Sequence, residues 1–138
     1  HIILRFEIER DLISGELEVV DLPEAWNAKF EEFFGIKVEK ISDGCLQDIH
    51  WSMGAIGYFP TYTLGNLAAA QIFNKAKIDC PEIESCSSDH CYKILLDWLR
   101  KNIHSKGSLL LPQDLIKEVT GEDLSAKYHL DHLRQRYS

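Results

Sequence analysis

A chain of 138 residues with a formal charge of −7 is long enough to bury a core and carries no general signature of nucleic-acid binding. No basic stripe runs along any expected helix, no apolar run approaches the ~20 residues that cross a bilayer, and no segment reads as a signal peptide. Hydrophobic residues at 45% and charged residues at 27% suit a soluble globular domain, and four irregularly spaced cysteines make no secreted disulfide framework, so the cytoplasm is the default.

The chain opens His1-Ile2-Ile3-Leu4-Arg5-Phe6 with no initiator Met and no capping residue, already inside a helical pattern, and so reads as a fragment of something longer. The first helix is expected over about residues 1 to 14. Leu4, Ile8 and Leu12 form its stripe, and Arg5 and Glu9 sit at ion-pair spacing beside it. Gly15 stops it. After an extended connector from Glu16 to Val20, Asp21 is expected to cap a second helix, with Pro23 in its first turn and Glu24 at the capping-box position. Trp26, Phe30, Phe33 and Phe34 give that helix its apolar face, and core packing explains them better than a ligand cage. Gly35 ends it.

Ile36 to Gly44 reads as a polar loop with a Ser42-Asp43-Gly44 turn. Periodicity then stops. From Gly44 to Tyr62 a Gln, an Asp, a His, a Trp and two Tyr fall among three glycines and a proline. A non-periodic segment that concentrates titratable and aromatic side chains is a site hypothesis. The competing reading is a buried irregular loop whose Asp and His satisfy each other.

After Pro60 a long helix is expected from about Thr61 to Ile78. Leu64, Ala68, Ile72 and Ala76 form one stripe, widened by Ala69 and Phe73, which makes this helix central and buried. Ala68-Ala69-Ala70 implies close approach by another element. Asp79 to Ser88 is the least ordered-looking segment. A further helix spans about Asp89 to Ser105, with Tyr92, Leu96, Leu99 and Ile103 on one face and Cys91, Leu95 and Trp98 broadening it, and Gly107 closes it. Pro112 opens a short helix that Thr120-Gly121 ends, and Ser125 caps a last one carrying Tyr128, Leu130, Leu133 and Tyr137. No alternating strand pattern or repeat occurs, so the fold class is all-α, in one helical region over residues 1 to 138.

Six His and four Cys raise the question of a metal. The zinc-peptidase signature His-Glu-x-x-His is absent from this chain. His129 and His132 have helical i, i+3 spacing but no Glu between them, and Cys80, Cys86, His90 and Cys91 lack Cys-x-x-Cys pairs, so neither set reads as a zinc site. No Gly-x-Ser-x-Gly elbow, nucleophilic Cys context or P-loop is present. That leaves Asp48, His50, Tyr58 and Tyr62. His and Tyr can donate hydrogen bonds to a developing oxyanion. Such chemistry also needs a metal and a base, and neither is visible here.

The same residues carry a resemblance. Gly44-x-x-Gln47-Asp48-x-His50-Trp51 is similar to the Gly-x-x-Gln-Asp-x-His-Trp motif of the carboxypeptidase Taq family of zinc metallocarboxypeptidases. The likeness runs on through Gly57-Tyr58-Phe59-Pro60-Thr61-Tyr62, Leu64-Gly65-Asn66 and Ala69-Ala70-Gln71. His1 to Glu7 and Thr120 to Leu124 resemble the segments on either side, as do Tyr128 and Leu133 to Tyr137.

The resemblance implies the C-terminal part of a larger, almost entirely helical enzyme with a deep substrate groove. Such an enzyme releases C-terminal amino acids from peptides with water activated by zinc, sometimes cobalt. Its metal ligands and general base lie upstream, so none maps onto this chain, which alone is expected to be inactive. His50 and Tyr58 are the implied catalytic contacts to the substrate carbonyl and oxyanion, with Tyr62 the second-choice tyrosine. Gln47 and Asp48 are expected to orient the loop and the imidazole, with Trp51 alongside them in the motif. Met53 stands where the family often has an acidic residue. The implied partners are peptide substrates, the upstream part of the same polypeptide and a second copy in a homodimer, with no nucleic acid or membrane. The alternative is a non-catalytic helical interaction module that keeps the groove loop.

Overall fold

The computed structural model of the chain describes residues 1–85 and 89–138. Among them are seven helices and no strand: α1 (Ile2–Ser14), α2 (Leu22–Phe34), α3 (Pro60–Asp79), α4 (Glu82–Ser85), α5 (Asp89–Asn102), α6 (Pro112–Thr120) and α7 (Lys127–Tyr137). The all-α expectation holds. The chain divides into two compact units, His1–Thr63 and Leu64–Ser138, with the boundary inside α3.

In the first unit α1 packs on α2. Leu4 and Ile8, one turn apart on α1, are wholly buried with Trp26 of α2, and Cys45 joins them from the following loop. Leu12, Leu17, Leu22, Phe30, Val38 and Trp51 surround this cluster. Gly15 ends α1 in the left-handed conformation at φ 79°, which lets the next two amides bond back to the Asp11 carbonyl.

The entry to α2 differs from expectation. Val19–Asp21 forms a 3-10 turn, and Asp21 itself is helical at φ −89°, ψ −4°, with no side-chain capping bond. A capping side chain needs an extended backbone to fold back onto the first amides, and Asp21 lacks one. The aromatic face of α2 also divides, since Trp26 is buried while Phe33 and Phe34 are exposed.

In the second unit Gln71, Ala76, Cys91, Trp98 and Ile116 are buried. Gln71 carries most of the polar order. Its Nε2 donates to Thr120 Oγ1 at 3.0 Å and to the Asp123 carbonyl at 3.1 Å, and its Oε1 accepts the Ser125 amide at 2.9 Å. One side chain of α3 thereby ties the connection between α6 and α7. Gly121, left-handed at φ 87°, ends α6 as expected. Ser125 Oγ accepts the Lys127 amide at the start of α7, so it caps from just before the helix.

Three expectations are corrected here. α3 is not buried all round: Leu64 and Phe73 are 50% and 41% exposed, because apolar character on every face does not supply cover for every face. On α5 the buried residues are Cys91 and Trp98, while Tyr92 and Leu96 face outward. Trp98 is drawn in by its indole N–H, which donates to Asp79 Oδ2 at 3.0 Å. Residues 82–85 are helical rather than irregular, since Pro81 starts a turn that accepts the Glu84 amide, and Glu84 pairs with Lys77. Cys86 to Ser88 lie outside the described residues.

Candidate active-site loop

The segment from Gly44 to Phe59 has no regular helix, yet its backbone is well bonded. The Gly44 amide bonds to the Ile41 carbonyl, closing the 3-10 turn Ile41–Asp43. A Cβ on Gly44 would sit 3.2 Å from both Asn27 Oδ1 and Val38 Cγ1, so the chain enters the loop pressed against its neighbours. Cys45 then dips into the core, and burial pushes its thiol pKa up. From His50 the backbone turns tightly, and the His50 carbonyl accepts the amides of Met53 and Ala55. Gly54 and Gly57 take positive φ at the far side of the turn.

Helix α1 holds this loop with two buried charges. Arg5 donates from Nε to Asp48 Oδ2 at 2.8 Å, and its Nη2 reaches the same oxygen. One turn later, Glu9 accepts the Trp51 indole N–H on Oε1 at 2.7 Å and the Gly57 amide on Oε2 at 3.1 Å. The Glu9 carboxylate thus spans the turn from one end to the other. Arg5 and Glu9 are 6% and 4% exposed, and the pairing that their spacing allows gives way to contacts with the loop. Desolvation explains the choice, because a charge taken out of water must be matched by close, well-directed partners.

Asp48 passes the order on to His50, whose Nδ1 lies 3.0 Å from Asp48 Oδ1. Partial burial pushes the Asp48 carboxyl up, but hydrogen bonds from His50 and Arg5 and the Arg5 charge outweigh it and hold it below the ordinary carboxylate range. An ionised Asp48 requires the proton on Nδ1. Nε2 of the neutral ring is then the free lone pair, and it lies 3.2 Å from the Tyr62 hydroxyl. The imidazole stacks on Tyr58 at 5.7 Å and meets Phe59 at 4.7 Å, and the Tyr58 and Tyr62 rings meet edge to face at 5.3 Å.

Both tyrosines are nearly half exposed. Loss of surrounding water raises the Tyr62 phenol above its usual pKa, helped by Tyr58 and the Asp48 carboxylate, so its hydroxyl stays a donor. The two phenols can donate to a carbonyl oxygen or its tetrahedral oxyanion, and the imidazole can do so from Nε2 once a second proton makes it an imidazolium.

Of the residues singled out in the sequence, Asp48, His50, Trp51, Tyr58 and Tyr62 come together. Gln47 does not join them, for its side chain is exposed and bonds to no described residue. Met53 is 71% exposed. The sequence reading missed Arg5 and Glu9 as parts of this site, along with Phe59, whose buried ring lies near both Arg5 and His50. The available signal was their position beside Leu4 and Ile8 on α1, where a charge flanks the most deeply buried stripe. His129 and His132 line a separate open groove of about 710 Å³ in the second unit, with Phe73 and Lys77 opposite. Among the described residues no three His, Cys, Asp or Glu side chains stand together as a metal site.

Residues 1–137 match the model of one family, carboxypeptidase Taq (M32) metallopeptidase. The chain belongs to that family. M32 relatives include thermostable carboxypeptidase 1 of Pyrococcus furiosus, 44% identical over 99% of this chain and 28% of its own length. Thermostable carboxypeptidase 1 of Thermus thermophilus is also 44% identical, over all of this chain and 27% of its own. In structure, the M32 carboxypeptidase of Deinococcus radiodurans superposes with a TM-score of 0.92 at 39% identity, over 99% of this chain and 28% of that one. The chain therefore spans about 28% of the length of the relatives it matches. A metallopeptidase family implies a metal cofactor, and the described residues form no site that would hold it.

Proposed function

We propose that this chain is part of a metallocarboxypeptidase that releases C-terminal amino acids from peptides, with zinc, or alternatively cobalt, held by residues upstream of this region. In this reading the Gly44–Tyr62 loop forms one wall of the substrate groove. His50 and Tyr58 contact the substrate carbonyl and its oxyanion, and Tyr62 stands beside them. Asp48 orients the imidazole, Trp51 anchors the turn, and Gln47 is left facing outward where substrate could meet it. The observation that carries the reading is the fixed imidazole: Asp48 holds Nδ1 while two half-exposed phenols flank the ring. A loop kept only for folding has no need to leave those donors at the surface.

The longer protein should act as a homodimer on peptide substrates in the cytoplasm, and this chain alone should be inert. The experiment is an assay of the longer protein, metal-loaded and chelated, against short peptides with free C-termini. Stepwise release from the C-terminus that disappears on chelation and returns with zinc is the expected result. Failure to release any residue with zinc bound, together with no His-Glu-x-x-His encoded upstream, would establish the alternative, a helical interaction module.

A further inference from the structure

We propose that Arg5 is a positioning residue for His50, acting through Asp48 to fix which imidazole nitrogen carries the proton and where Nε2 points. The proposal rests on the reading of His50 given above. Arg5 is held on every side. Its two Asp48 contacts occupy one edge of the guanidinium, and Nη1 lies 2.8 Å from His1 Nδ1 and 3.2 Å from the His1 carbonyl. Its planar group lies 4.7 Å from the Trp26 ring and 5.1 Å from the Phe59 ring.

The division of Asp48 is the informative detail. Both Arg5 donors converge on Oδ2, which leaves Oδ1 to His50 alone. The carboxylate therefore cannot rotate away from the imidazole without breaking a buried, charge-assisted contact. Phe59 acts from the other direction, since the ring that covers Arg5 is also 4.7 Å from the imidazole. Moving Arg5 would free both the partner and the packing of His50. Glu9 has a different task, because its bonds go to Trp51 and Gly57 and shape the turn without touching Asp48.

The test uses the longer, metal-loaded protein as wild type, Arg5→Met, Asp48→Asn and the double variant, with histidine nitrogens labelled. In wild type His50 should give the spectrum of a single Nδ1–H tautomer, and Arg5→Met should give a mixture. In peptide hydrolysis Arg5→Met should lower kcat by about 10- to 100-fold while KM changes by less than about threefold. The double variant should be no more than about threefold worse than the poorer single, because both remove the same relay.

An unchanged His50 spectrum in Arg5→Met, or a double loss equal to the product of the singles, overturns the proposal. If Arg5→Met does not fold, Arg5→Lys decides, since it keeps the charge but offers a point donor in place of a fork. It should blur the tautomer and lower kcat less steeply. If wild type shows no peptidase activity, the function proposed above falls, and the nitrogen spectrum alone then judges Arg5.

Discussion

The Nε2 atom of His50 lies 3.2 Å from the hydroxyl of Tyr62, twelve residues further along the chain. This contact joins the centre of the irregular loop to the first turn of α3, whose start at Pro60 is fixed by that residue's preset φ. Tyr58 reaches the same imidazole by stacking. The two tyrosines thus meet the ring in different ways, which allows them to be separated by substitution.

On the function proposed above, His50→Ala and Tyr58→Phe in the longer protein should each lower kcat/KM by about 100-fold, the usual effect of removing an oxyanion donor, with metal content unchanged. Tyr62→Phe should cost less, about tenfold, because Asp48 still holds the imidazole when the phenol is gone. Steady-state kinetics beside metal analysis checks both. A loss of metal in any of the three would assign that residue to the metal centre instead.

Glu9→Gln changes one buried atom and should be expensive. An amide can accept only one of the two N–H groups that Glu9 now satisfies, and its own NH2 faces the other. One donor left unpaired costs about 1–3 kcal/mol, to be read from denaturant unfolding. Increased hydrogen exchange at the Gly57 amide should accompany it.

Asp48 ties stability to acid. Its folded pKa lies below the unfolded value, so its contribution is fully present above the ordinary carboxylate pKa near about 4. The contribution fades as pH falls through the lower, folded value. The stability gap between wild type and Asp48→Asn should therefore be constant from neutral pH to about 5 and close below about 4. Unfolding measured across that range gives the answer, and a gap that widens in acid would contradict the stated direction.

In the second unit Gln71→Ala should remove three hydrogen bonds at once and destabilise by about 2–4 kcal/mol. Amide exchange at Ser125 would rise first, ahead of α6 and α7 themselves.

Much of this organisation was legible because it is local. Leu4 and Ile8 announce the buried stripe of α1, Thr120-Gly121 marks the end of α6, and the loss of periodicity at Gly44 isolates the loop. What escaped depended on partners far away in the chain. Spacing says that Arg5 and Glu9 can meet, but it cannot say that Asp48, 43 residues on, and Trp51 compete for them and win. Asp21 failed as a cap because the preceding 3-10 turn, invisible to capping patterns, had already bent its backbone. The exposure of Leu64 and Phe73 on α3 has the same origin, since composition records what a helix could bury and not what is present to cover it.

Cys45 turns the loop into its own clock. Its thiol is 5% exposed, packed beside Leu4, Ile8 and Trp26, and its raised pKa slows attack even when reagent arrives. A disulfide reagent can reach it only when the segment leading to His50 lifts from α1. The labelling rate at Cys45 therefore measures how often that lifting happens, and Glu9→Gln should accelerate it. A single buried sulfur, with no part in the chemistry, would report the opening of the loop that carries it.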